Sequence, residues 1–129
     1  MNMQINLTSD ESETLKGYIE ALYWADNWAD TDEEGQPDPE AELSPETWRN
    51  IAIDVVWFLK KAMPRIYRKP LDYTQIGHDF YLSRNGHGTG FWDRSEIYGE
   101  PLADYLHEMA DSFGPDEFYQ GDDGMIYNS

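Results

Sequence analysis

Residues 77–94 read Gly77-His78-Asp79-Phe80-Tyr81-Leu82-Ser83-Arg84-Asn85-Gly86-His87-Gly88-Thr89-Gly90-Phe91-Trp92-Asp93-Arg94, and how this stretch pairs decides the fold. Residues 78–82 alternate, with Phe80 and Leu82 on one face of a strand. Asn85-Gly86 is a strong two-residue turn signal, because both central positions of such a turn need φ > 0. Gly90-Phe91-Trp92-Asp93 then returns as the second strand, giving an expected hairpin over about 78–94. In that register Arg84 pairs with His87, Phe80 with Phe91, and His78 faces Asp93.

Outward from this hairpin the apolar period becomes helical. Leu15, Tyr18, Ile19, Leu22 and Tyr23 follow the i, i+3, i+4, i+7, i+8 stripe of an amphipathic helix from about Ser9 to Asp26. Thr8 with Glu11, or Asp10 with Glu13, has capping-box spacing. Residues 27–43 read as an acidic loop, since like charges, Gly35, Pro37 and Pro39 oppose helix and strand alike. Ser44-Pro45 is an N-cap with proline at the first helical position. Trp48, Ile51, Ala52, Val55, Leu59, Ala62 and Met63 form the stripe of the helix it opens, which Pro64 should end or kink. Pro101 begins a third helix with Leu102, Tyr105, Leu106, Met109 and Phe113 on one face, stopped by Gly114-Pro115. A second hairpin over about 117–128 turns at Gly121-Asp122-Asp123-Gly124. The expectation is a single α+β domain, residues 1–129, with three helices and two β-hairpins forming a small antiparallel sheet.

The chain has 129 residues, of which 15% are aromatic, enough for a core without cross-links. Nine basic residues stand against 26 acidic ones, a formal charge of −17. The charge is segregated: residues 1–47 carry 13 acids and only Lys16, 48–94 carry 8 bases and 4 acids, and 95–129 carry 9 acids and no base. Such a balance opposes direct nucleic-acid binding and docking on an anionic membrane. Aromatic richness argues against full disorder. Without cysteine there are no disulfides, thiolate metal sites or cysteine nucleophiles. Met1 to Thr8 lacks the basic and apolar regions of a signal peptide, and no stretch approaches a membrane span. These features are compatible with a cytoplasmic location.

Three glycines between Asn85 and Gly90 could expose backbone N–H groups to an anion, with Arg84, Asn85, His87 and Asp93 as polar contacts. The competing reading is a tight or bulged hairpin, and neither G-x-G-x-x-G nor Walker spacing is present. His78, Asp79, His87 and Asp93 do not converge on one point in the hairpin register, so no metal site is assigned. Asp122-Asp123-Gly124 lacks the twelve-residue pattern of an EF-hand loop and reads as a turn. No catalytic cluster and no cofactor motif emerge, and the chain is not read as an enzyme.

The 77–94 motif resembles the hallmark of a family of small, acidic, uncharacterised proteins encoded by bacteriophages, prophages and plasmids. That family's ending is similar to Gly121-Asp122-Asp123-Gly124-Met125-Ile126-Tyr127. Its acidic loop resembles Asp30-Thr31-Asp32-Glu33-Glu34-Gly35, and its Ser-Pro-Glu helix start resembles Ser44-Pro45-Glu46. The resemblance implies a mobile-element accessory protein in a bacterial cytoplasm and carries over no catalytic residue.

Two functional readings follow. In the first, the acidic surface contacts a host or phage protein with a basic, DNA-binding surface, and inhibits or modulates it by mimicking a nucleic-acid backbone. Asp26, Asp30, Asp32, Glu33 and Glu34 would supply charge, and Trp24 and Trp28 the aromatic anchors. In the second, the Gly-rich hairpin holds a small ligand, nucleotide or metal through Arg84, Asn85, His87 and Asp93.

Overall fold

The computed structural model describes residues 6–25, 42–66, 69–86 and 90–128. Helix α1 spans Ser9–Ala25. Its start is the expected capping box: Thr8 N donates to Glu11 Oε1 at 2.9 Å and Glu11 N to Thr8 Oγ1 at 3.1 Å. Helix α2 spans Pro45–Ile66, with Ser44 Oγ accepting from Thr47 N at 3.1 Å. Pro64 lies inside the last turn, and the helix runs two residues beyond it. A proline there leaves a single carbonyl without its helical donor, close to where the helix ends.

Residues 78–82 are not a strand. They lie in helix α3, Tyr73–Arg84, capped by Asp72, whose carboxylate accepts from Thr74 N at 2.9 Å and Gln75 N at 3.4 Å. The helical period is hidden because α3 is enclosed nearly all round: Ile76, Gly77 and every residue from Asp79 to Arg84 are buried. A helix with so little solvent face has no continuous polar stripe to reveal it. Asn85 is the C-cap, and Gly86, at φ 71°, takes the left-handed position that follows a helix end. The glycine that signalled a hairpin therefore terminates a helix. Phe91–Asp93 forms a short 3₁₀ turn, followed by α4, Ser95–Tyr98, and α5, Leu102–Asp111. Gly114, at φ 78°, ends the chain's run of helices.

The second expected hairpin is present. Strands β1, Phe118–Gln120, and β2, Ile126–Asn128, pair antiparallel with Tyr119 opposite Tyr127. Ile126 N also donates to Glu42 O at 2.8 Å, and Ser44 N to Ile126 O at 2.9 Å, joining the hairpin to the start of α2. The architecture is thus α+β, with five α-helices and one hairpin among the described residues rather than three helices and two hairpins.

Helices α1 and α3 cross at almost backbone contact. A Cβ on Gly17 would come 2.0 Å from Thr74 O, and one on Gly77 would come 2.0 Å from Thr14 O. Each helix thus presents a glycine to the other's main chain. Around this crossing lies an aromatic core in which Phe58 stacks on Phe80 at 4.2 Å and on Phe91 at 5.5 Å between centroids. Tyr18 packs edge-on to Tyr81 at 5.1 Å.

Candidate functional site

Two buried ionic centres organise the 77–94 segment. In the first, Asp79 is fully buried and accepts from Arg94 Nε at 2.7 Å, Tyr98 OH at 2.6 Å and Gln75 Nε2 at 3.1 Å. Burial raises its carboxyl above the ordinary range, against the opposing pull of Tyr98, Arg94 and Gln75. Burial, then the Asp79 charge, pushes the Tyr98 phenol far up, so it remains a donor. Ser83 Oγ closes the same loop by accepting from Phe91 N at 3.1 Å. Gly90, at φ 103°, passes so near Ser83 that a Cβ would sit 2.4 Å from Oγ.

In the second centre the Arg84 side chain, 5% exposed, reaches three parts of the chain. Its Nε donates to Gly114 O at 2.8 Å, Nη1 to Asp54 Oδ2 at 2.9 Å and to Tyr18 OH at 3.2 Å, and Nη2 to Phe113 O at 3.3 Å. Asp116, 4% exposed, lies 3.7 Å from Nη1 and accepts from Tyr18 OH at 2.6 Å and Asn128 Nδ2 at 2.9 Å. Burial disfavours the Arg84 charge, but Tyr18, Asp116 and Asp54 more than restore it. Asn85 adds a further tie, its Oδ1 accepting from Asp116 N at 2.8 Å and its Nδ2 donating to Tyr81 O at 2.9 Å.

The residues expected to hold a ligand are thus placed differently from the hairpin register. The polar groups of Arg84 and Asn85 are engaged with the protein itself. Asp93 is exposed on the 3₁₀ turn, and His87 lies outside the described residues. His78 does not face Asp93; its Nε2 lies 3.3 Å from Glu20 Oε1 on α1. No three His, Cys, Asp or Glu side chains among the described residues are grouped to hold a metal ion. Sequence reasoning missed Tyr18, Asp54 and Asp116 as partners of Arg84. Their separations of 66, 30 and 32 positions leave no local signal.

Of the residues expected to contact a partner, Trp24 is 74% exposed near the end of α1. Asp26, Trp28, Asp30, Asp32, Glu33 and Glu34 lie outside the described residues. Trp48, assigned to a core stripe, is half-buried and lines an open groove of about 350 Å³ with Leu7, Leu15, Lys16, Ile19 and Glu20. Trp57 is 56% exposed. No helix of the described residues is long and apolar enough to cross a membrane. Comparison with protein-family models, curated proteins and solved structures finds no match.

Proposed function

We propose that the protein is an acidic protein-binding module that contacts a basic, DNA-handling partner and has no catalytic activity of its own. The observation that carries this reading is the exposed Trp24 indole on the last turns of α1, where the chain enters its acidic stretch. Large aromatic side chains are typical binding anchors, and an exposed one that Asp26, Asp30, Asp32, Glu33 and Glu34 follow in sequence suits a partner surface that is both apolar and basic. The disposition of arginines supports it. Arg84 and Arg94 face Asp54, Asp116 and Asp79 inside the fold. Setting those five residues aside from 9 bases and 26 acids leaves 7 and 23, a charge of −16 on the remainder. Acidic charge of that size steers association with a positive groove and makes it salt-sensitive. The resemblance of 77–94 to mobile-element proteins supplies the setting, a host or phage DNA-handling protein in a bacterial cell, with DNA mimicry as the mode of contact.

The test is affinity capture of partners from bacterial lysate, followed by binding measurements on the recovered protein. Replacing Asp30, Asp32, Glu33 and Glu34 by Asn and Gln is expected to slow association, and Trp24→Ala to speed dissociation. Binding should weaken steeply between about 0.15 M and 1 M salt, as the Debye length falls from ~8 to ~3 Å. A partner that binds the neutralised variant as well as the native protein overturns the reading.

A further inference from the structure

Among the described residues, the outer face of α2 carries a second exposed surface, distinct from Trp24. Glu46, Asn50, Ile53, Trp57, Lys60 and Pro64 are all exposed, and they recur at steps of 4, 3, 4, 3 and 4 residues. That alternation is the seam spacing of paired helices. Its centre is apolar: Ile53 is 43% and Trp57 56% exposed. Its ends carry opposite charge. At the N-terminal end stands Glu46. The hairpin adjoins that end through Asn50 Nδ2 to Asn128 Oδ1 at 3.3 Å, and its turn adds the exposed Asp122 and Asp123. At the other end stand Lys60, Lys61 and Arg65, all exposed, with Lys61 Nζ 5.8 Å from the Phe113 ring and the Arg65 guanidinium 3.9 Å from the Tyr105 ring on the α5 side. Lys60 Nζ lies 5.9 Å above the Trp57 ring.

A face that is acidic at one end, apolar in the middle and basic at the other is complementary to itself turned around. We propose that this face is a two-fold contact for a second copy of this chain, with the two α2 helices antiparallel about Val55. Residues 46 and 64, 50 and 60, and 53 and 57 are equidistant from 55. Ile53 of each copy therefore meets Trp57 of the other. The Glu46 end meets the Lys60–Lys61 end twice over, as an isologous contact requires. The helix dipoles oppose each other favourably. A partner of a single charge sign would match only one end. Arg49, on the flank away from the hairpin, opposes Lys60 of the second copy in this register and keeps the contact weak. The proposal is independent of the partner reading, since it does not involve Trp24.

The experiment is sedimentation equilibrium of the full chain from about 10 μM to about 1 mM, where contacts at the small end of the interface range register. Salt is held near ~0.15 M so that distant acids are screened while contact pairs persist. A reversible monomer–dimer equilibrium is expected. Glu46→Lys, and separately Lys60→Glu with Lys61→Glu, should each raise the dimer dissociation constant at least about tenfold. An equimolar mixture of the two variants should associate again, because charge is then complementary at both ends. All three positions are exposed, and circular dichroism reports that each variant retains its helices. A chain that stays monomeric throughout, variants that dimerise as the native chain does, or a mixture that fails to recover association would each overturn the proposal.

Discussion

Residues 77–94 and 117–128 present similar local patterns, a glycine-containing turn signal between aromatic runs, and they fold differently. In 117–128 the pattern becomes a hairpin. Only its inner face is covered, with Ile126 buried while Tyr119 is 52% exposed. In 77–94 the same kind of pattern becomes a helix, a glycine stop and a 3₁₀ turn, because α1, α2 and α5 close around it. The hairpin's alternation survives because solvent lies on one side of it. The central helix leaves only His78 and its first turn partly exposed. A strand-like alternation of large side chains is therefore informative only where one face remains wet.

The contrast can be broken most forcefully at Arg84. Arg84→Ala leaves Asp116 buried without its cation and is expected to cost about 3–5 kcal/mol in urea denaturation. It should also loosen the hairpin, since Arg84 holds Phe113, Gly114 and Asp116 upstream of β1. Backbone NMR shifts of residues 116–128 would register this. A loss below about 1 kcal/mol would mean the two regions are independent.

Asp79→Ala should be nearly as damaging, about 3 kcal/mol, by stranding Arg94 and Tyr98. Asp79 also makes stability depend on pH. Its folded-state carboxyl is raised by burial, so its contribution is complete below the ordinary carboxylate value of ~4 and is lost as pH rises through the higher folded value. The native protein should gain melting temperature on acidification through that interval. Asp79→Asn should flatten this part of the curve, and an unchanged slope would assign the dependence to other acids.

The glycines separate packing from conformation. Gly77→Ala drives a Cβ into the α1 main chain and should cost about 3 kcal/mol, at the upper end of overpacking. Gly86→Ala meets nothing within 4 Å and suffers only the left-handed backbone, roughly 1 kcal/mol. Equal losses in thermal melts would contradict the close crossing of α1 and α3. The smallest effect is expected on the hairpin's open face. Tyr119 stacks on Tyr127 at 5.8 Å, and Tyr119→Ala should cost only about 0.2–1 kcal/mol. A larger loss would show that the outer face is covered after all.

Where structure depends on neighbours in sequence, the chain could be read directly. Thr8 with Glu11 and Ser44-Pro45 start helices because a side chain three residues away meets an orphan backbone donor. The α2 stripe is legible because that helix keeps one face in water. The Gly121–Gly124 turn is legible because Gly124, at φ 85°, occupies a conformation that glycine adopts without strain. Less of the candidate site was legible. Trp24 is 74% exposed, and the acids expected beside it lie outside the described residues. Arg84 and Asn85 were singled out for their chemistry, but their partners come from α1, α2 and the segment after α5. Arginine beside a glycine-rich turn reads alike whether it awaits a ligand or binds its own chain.

Composition and charge order by themselves determined that the chain is rich in aromatics, free of cysteine chemistry and acidic at head and tail, because these are sums over residues and need no contacts. The starts of α1, α2 and α5, the helix stop at Gly114 and the C-terminal hairpin followed from local hydrogen bonding and backbone sterics. Tertiary structure alone decided that 73–84 is a helix, that Gly17 and Gly77 let two backbones touch, and that Arg84 and Asp79 face inward. Each of those outcomes depends on a surface supplied by residues far along the chain. Burial on every side removes the polar–apolar contrast that periodicity relies on, and a buried charge is tolerable only when distant partners meet it.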